Sequence, residues 1–267
     1  MSSSSKLVSI IIPTYNSSEF IKKTLLSCIS QDYNNIEIIV SDDGSTDDTI
    51  KKIRMFHNVK LIASSINYGL AKNINAATRI AKGEYLLILG HDDCIPENHI
   101  SKMMEFASKE TSIIHCNAIC VDENGNFIKW KRQHFTQEKK SKNPLYYLAI
   151  ENFIQSCGAM VNAKYYRKVG GWDESYKYYG EWLLWIKLAS IGNVRYVKNT
   201  HGIYKFNQGL MKSLRADVRH SLIKYQEECK HLAMKKISSK GERILVKIRI
   251  KYVKAKSYLS YKRKILR

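Results

Sequence analysis

Two pairs of adjacent aspartates stand at the ends of apolar runs: Asp42 and Asp43 in IEIIVSDDGS, and Asp92 and Asp93 in LLILGHDDCIP. Adjacent carboxylates repel one another unless something positive is bound, and hard oxygen ligands suit Mg2+ or Mn2+ bridging to a substrate's phosphates. A lone Asp also serves as a helix cap or turn former, so one pair by itself would not decide the matter. The six cysteines, Cys28, Cys94, Cys116, Cys120, Cys157 and Cys229, lack paired CxxC spacing and read as small buried hydrophobes of a reducing compartment. His91 reads as a loop residue beside the second pair.

The elements that would carry these carboxylates alternate regularly. LVSIIIP (Leu7 to Pro13) predicts a buried strand, and Ser18 to Gln31 a helix with Ile21, Leu25 and Cys28 or Ile29 on one face and Ser18 as its cap. A second strand starts at Ile36, a helix spans about Asp47 to Phe56, and a short strand starts at Val59. LAKNINAATRIAK then reads as a helix and YLLIL as a fourth strand. Strands that are apolar almost throughout imply a parallel sheet covered on both faces, where ligands collect at the carboxyl ends. Thr14, Tyr15 and Asn16 would share that edge with Asp42, Asp43, His91, Asp92 and Asp93.

In order and spacing, VSIIIPTYN, IEIIVSDDGSTDDT, NYGLAKNINAA and KGEYLLILGHDDCIP resemble the nucleotide-sugar-binding half of the family 2 inverting glycosyltransferases with the GT-A fold. GGWDESYKYYGEWLLWIKLASIG, Gly170 to Gly192, resembles the family's acceptor-side acidic segment. The resemblance implies an α/β protein with a Rossmann-like, mostly parallel sheet and helices on both faces, followed by a basic helical tail. It implies a glycosyltransferase domain over 1–215, with a nucleotide-sugar half near 7–110 and an acceptor half near 111–215, and a tail over 216–267. Pro13 and Tyr15 would line the base pocket, Asp42 would bond the base's Watson-Crick edge, and Asp43 and Asn67 would shape the nucleoside site. Asp92, with Asp93 after it, would hold Mn2+ or Mg2+ on the donor diphosphate, and Glu181 would be the catalytic base. Trp172 and Trp182 are acceptor-side candidates, Trp172 for stacking on a sugar face; Trp182 also fits a core position with Trp185.

Several positions depart from the family pattern. Gly90 stands at the first Asp of its DxD motif, and Gly180 and Glu181 stand at its acidic pair. Ile74 and Ala77 replace a common Arg and Gly, while Lys205 and Asn207 replace an Arg and a His. The implied reaction is transfer from a nucleoside-diphosphate sugar, a UDP-sugar by the family's habit, to a saccharide hydroxyl on a lipid-linked carrier in O-antigen or capsule assembly, with inversion. A sugar nucleotidyltransferase would need a glycine-rich loop with Arg and Lys after the first strand, and PTYNSSEF has none. A catalytically altered protein of the same fold is the other alternative.

The formal charge of +20 implies attraction to phosphate. It is densest from Lys235 to Arg267, with 13 Lys and Arg against the single acid Glu242. Ile244, Leu245, Ile248, Tyr252, Ala255 and Leu259 recur there at helical spacing, which suits an anionic bilayer surface. A nucleic-acid partner would instead need basic and aromatic residues interleaved on one face of the domain, so none is expected. No apolar run reaches the roughly 18 to 20 residues of a spanning helix, and MSSSSKLVSIIIP does not read as a signal peptide. The expectation is a cytoplasmic enzyme, peripheral on the inner face of the plasma membrane.

Overall fold

A computed structural model of the chain describes residues 5–131, 134–176, 180–205 and 216–265, with side chains for all of these except 134–135, 216–220 and 253–265. Strand β1 (Val8–Thr14) is buried along its whole length. Its side chains alternate between two cores, as a period of two requires. Val8, Ile10 and Ile12 pack with Ile21, Leu25 and Cys28 of helix α1 (Ile21–Ile29). Ile11 packs on the other face with Ala71, Ile74 and Ala77 of helix α3 (Leu70–Ile80).

Around β1 run strands β2 (Ile36–Asp42), β3 (Val59–Ala63) and β4 (Tyr85–Ile88), with the short helix α2 (Thr49–Ile53) between β2 and β3. The pairings β1–β2, β2–β3 and β1–β4 are parallel, as the apolar runs imply. Helix α1 starts later than its periodicity suggests, and Ser18 does not cap it. The Ser18 amide donates to Asp47 Oδ2, while the Ser17 carbonyl accepts from the amides of Phe20 and Ile21. Residues 17–20 are thus tied into the loops that carry the site, and the helix begins at Ile21 with Phe20 as its cap residue.

The second half adds antiparallel pairing. Strand β5 (Thr111–Val121) turns back through DENGN into β6 (Phe127–Trp130), with Asp122 Oδ1 accepting from the amides of Asn124 and Asn126 and Gly125 at φ 88°. The three-residue β7 (Met160–Asn162) runs antiparallel between β4 and β5, and β8 (Asn193–Lys205) runs parallel on β5. The order β3-β2-β1-β4-β7-β5-β6, with β8 also on β5, places the carboxyl ends of β1, β2, β4, β5 and β8 on one edge.

Four further helices complete the second half of the chain after α4 (His99–Met104) and α5 (His134–Lys142): α6 (Pro144–Leu148), α7 (Ala163–Lys168), α8 (Glu181–Ala189) and α9 (Ala216–Lys236). Tyr225, Cys229 and Ala233 of α9 are buried in the same core as Trp182 and Leu184 of α8, and Tyr225 Oη accepts the Leu183 amide at 3.1 Å. The last helix, α10 (Lys240–Ile265), buries Val246 and bonds Asn143 through Glu242. Ile244, Leu245, Ile248 and Tyr252 of the expected apolar stripe are exposed, and the side chains of Ala255 and Leu259 lie outside the described residues. No described helix is long and apolar enough to cross a membrane.

Two buried histidines set a pH dependence. His99 sits between Thr200 Oγ1 and the Gly158 carbonyl, and His115 donates or accepts at Ser141 Oγ. Desolvation pulls the first down to about 4 and the second to about 3. Their stabilising contribution is therefore present above the unfolded value near 6.5 and is lost as the pH falls toward the folded values. Asp93, pushed up to about 7 by burial and then by the charge of Asp92, works in the opposite sense over the same window. The two imidazoles buried neutral outweigh the single raised carboxyl, so stability should fall as the pH drops from about 6.5 toward 4. Urea midpoints measured at pH 7, 6 and 5 should fall steadily; a flat series would contradict this balance.

Candidate active site

The loops after β1 and β2 are built by hydrogen bonds among the sequence's own polar clusters. Asp42, 1% exposed at the end of β2, accepts from Thr14 Oγ1, Ser45 Oγ and the Ser45 amide, and so ties the loops after β1 and β2 together. Asp43 accepts the amides of Tyr68 and Gly69, fixing the entry to α3. Asn73 of α3, which the sequence reading did not single out, donates to the carbonyls of Ser41 and Thr14. Pro13 is buried in β1, Tyr15 beyond it is 44% exposed, and Asn67 is exposed with its Oδ1 on the Gly69 amide.

A cavity of about 530 Å³ opens here, lined among others by Asp42, Asp43, Tyr68, Lys72, Asn73 and Arg79. That volume suits a nucleoside-sized ligand. Tyr15 and Asn67 stand outside its lining. Ile74, at the position where an Arg was noted as common, is a core residue at 1% exposure. The cavity's cations come instead from Lys72 and Arg79 on the same helix.

Past β4 the chain turns sharply over Gly90. A Cβ built there would lie 2.9 Å from Asp93 Oδ2 and 3.3 Å from Asp92 Oδ1, so both carboxylates converge on this glycine and any side chain would push them apart. Asp93 is buried, with Oδ1 accepting the Lys205 amide at 3.4 Å, and Asp92 is half-buried. Two converging carboxylate oxygens fit a hard divalent cation that completes its shell with substrate phosphate and water. Among the described residues no group of three or more His, Cys, Asp or Glu side chains could hold a metal without such help. His91 is a loop residue whose carbonyl accepts Thr24 Oγ1.

Glu181 opens α8, and its Oε1 accepts Asn152 Nδ2 at 2.9 Å. A cavity of about 420 Å³ lies against it, lined by Glu151, Asn152, Glu181, Trp182 and, from α9, Tyr225 and Lys230 among others. Gly180 is held to glycine by packing, since a Cβ would come within 2.5 Å of Trp172 Nε1. Trp172 itself is 5% exposed and turns its indole edge to Gly180, so it offers no face for a sugar to stack on. Trp182 is equally buried, donating Nε1 to the Leu148 carbonyl, which matches the core alternative for that residue.

Sequence reasoning missed Lys131, just beyond β6. Its ammonium lies 3.3 Å above the ring of Tyr204, and it feels the charges of both Asp93 and Glu181. Tyr204 in turn feels Asp93 and Asp92. Lys205 also reaches this corner, through its amide to Asp93 and its ammonium over Phe20. Asn207 lies outside the described residues.

The family model described as "Glycosyl transferase family 2" matches residues 9–170. An uncharacterized glycosyltransferase of Rickettsia typhi is 30% identical over 202 residues, covering 71% of this chain and 61% of that protein. The chain thus spans about three fifths of that relative's length. A second relative, the Escherichia coli UDP-Glc:alpha-D-GlcNAc-diphosphoundecaprenol beta-1,3-glucosyltransferase WfaP, is 43% identical over 107 residues, 39% of this chain and 43% of that one. Among solved structures, Staphylococcus aureus TarS 1-349 in complex with UDP-GlcNAc superposes with a TM-score of 0.72 at 19% identity, over 91% of this chain and 71% of that chain. At that identity the likeness is one of fold, and it matches the α/β GT-A arrangement described above.

Proposed function

The chain belongs to glycosyl transferase family 2, and from that premise we propose that it moves a sugar from a UDP-sugar to a hydroxyl of a lipid-linked saccharide, with inversion and with Mg2+ or Mn2+. The observation that carries the reading is the open cavity lined by Asp42, Asp43 and Asn73 at the sheet's carboxyl edge, with Asp92 and Asp93 turned together over Gly90 at the end of β4. The lipid-diphosphate acceptor and the UDP donor are taken from the class that WfaP's name states for that relative. O-antigen or capsule assembly is the setting such an acceptor suggests.

In this reading the base stacks on exposed Tyr15 beside Pro13, its Watson-Crick edge bonds Asp42, and Asp43 and Asn67 hold the loop that closes the nucleoside site. Asp92 and Asp93 would hold the cation, which when bound neutralises charge on the diphosphate. Asn152 orients Glu181. Glu181 takes the proton of the acceptor hydroxyl as that oxygen attacks the anomeric carbon opposite the diphosphate. The acceptor would enter through the cavity between Glu181 and α9. A direct test offers a panel of nucleotide sugars with a saccharide-diphosphate lipid and reads released nucleotide and the anomeric configuration of the product by NMR. Release from a UDP-sugar with inversion supports the reading, and retention of configuration sinks it.

The tail fits a membrane surface in the same scheme. Ile244, Leu245, Ile248 and Tyr252 are each more than half exposed, and Arg243, Lys247, Arg249 and Lys251 are interleaved with them. Each cation near an anionic lipid is worth about 1 kcal/mol. Because Val246 packs into the core, truncation is a poor probe and substitution a better one. Changing Ile244, Leu245 and Ile248 together to Ser should lower cosedimentation with phosphatidylglycerol vesicles at least tenfold, with little binding to phosphatidylcholine in either form. Equal binding by the variant and the wild type would remove the membrane from the account.

A further inference from the structure

Lys131 is half-buried, and burial lowers its pKa despite the nearby carboxylates. Taking an ammonium out of water is costly unless it is paired or hydrogen-bonded. Its ammonium has three donors, yet among the described residues the contact it makes is with the face of Tyr204, at 3.3 Å from the ring centroid. No carboxylate oxygen of those residues lies within the 4.0 Å of an ion pair. Asp93 and Glu181 attract it from a greater distance, and the residue after Tyr204, Lys205, donates its amide to Asp93 at 3.4 Å. Tyr204, whose phenol is raised to about 12 by burial and by Asp93 and Asp92, stays neutral and supplies a polarisable platform.

Charge balance shows what this cation can do. Asp92, Asp93 and Glu181 are three carboxylates, and a nucleoside diphosphate adds at least two more negative charges. One divalent cation does not balance these charges, and Lys72 and Arg79 line the nucleoside cavity itself, so the diphosphate end calls for a cation of its own. A lysine, as a compact point charge with unused donors, is suited to a phosphate oxygen.

Resting on the reading of the site as a sugar-nucleotide transferase, we propose that Lys131 is a second cation of the donor site, binding the diphosphate and stabilising it as it departs. The bond between the anomeric carbon and the diphosphate oxygen breaks with its electron pair going to that oxygen. The new bond forms from the acceptor oxygen, whose proton passes to Glu181. Lys131 stays protonated throughout and donates hydrogen bonds to the diphosphate. Tyr204 is the positioning residue that keeps the ammonium in place.

Calorimetric titration with UDP and with uridine, each with and without Mg2+, tests this on wild type, Lys131→Met and Lys131→Arg. Lys131→Met should bind UDP about 10- to 100-fold more weakly while uridine affinity stays within about twofold, the size expected for a lost charge-assisted bond. Lys131→Arg should recover most of the UDP affinity. Thermal melting of each variant within about two degrees of wild type would show that the fold is intact. Unchanged UDP affinity in Lys131→Met, or an equal loss for uridine, removes Lys131 from the donor site and leaves the transferase reading standing. Wild type that binds neither ligand overturns both.

Discussion

Glu181→Gln should slow sugar transfer by about a hundred- to ten-thousand-fold, the usual worth of a general base, while UDP binding stays within about twofold. The change is nearly isosteric. Gln keeps an Oε1 that can accept the Asn152 amide at the place where Glu181 accepts it at 2.9 Å, so the cavity against α9 should keep its shape. What disappears is the proton acceptor. Glu181→Asp separates chemistry from charge, because it retains the carboxylate and draws it back by one methylene. Proximity effects of that size are costly, so the Asp variant should recover only part of the rate. A Gln variant with more than a tenth of wild-type turnover would place the base elsewhere on the acceptor side.

Asp92→Ala should produce the second largest loss, about a hundred- to a thousandfold in turnover, matching the several kcal/mol a Lewis-acid cation supplies. Its signature is the loss of response to added Mg2+ or Mn2+. The half-buried Asp92 is the carboxylate of the pair that solvent and substrate reach, whereas buried Asp93 spends one oxygen on the Lys205 amide. Asp93→Asn should therefore retain more activity than Asp92→Ala, since it keeps the oxygen that accepts the Lys205 amide. The reverse ranking would make Asp93 the main ligand.

The N-terminal half was legible because its signals are local. Val8 to Thr14 is apolar except for Ser9 and Thr14, and both its faces are covered, so an unbroken run correctly announced a doubly covered parallel strand. Asp42, Asp43, Asp92 and Asp93 follow from the same logic, since a strand's end fixes where its next residues stand. Long-range ties were not legible. Asp47 reaches back to the Ser18 amide and delays α1, a contact that no periodicity encodes. Trp172 beside an acidic segment resembles a sugar platform, yet only the packing against Gly180 reveals that it is internal. Lys131 acquires its setting from Tyr204, Asp93 and Glu181, each on a different element. One missed signal was present in the sequence: Tyr225, Cys229 and Ala233 recur every four residues, and they mark α9 as a helix packed on the acceptor half.

Gly90 and Gly180 show how the departures from the family pattern are to be read. A Cβ at Gly180 would come within 2.5 Å of the buried Trp172 ring, whereas one at Gly90 would meet the carboxylate ends of Asp93 and Asp92. Asp92 and Asp93 follow Gly90, and Glu181 follows Gly180, as the carboxylates present at these two positions.

The central claim is that the cavity between β2, β3 and α3 receives a nucleoside diphosphate whose phosphates reach Asp92. Calorimetric titration of the wild-type protein with UDP, dTDP, GDP and ADP in Mg2+, repeated in EDTA, tests it most directly. The account expects UDP to bind most tightly and to lose at least tenfold in affinity when the cation is chelated. Binding of none of the four, or binding of UDP that ignores the cation, would contradict it.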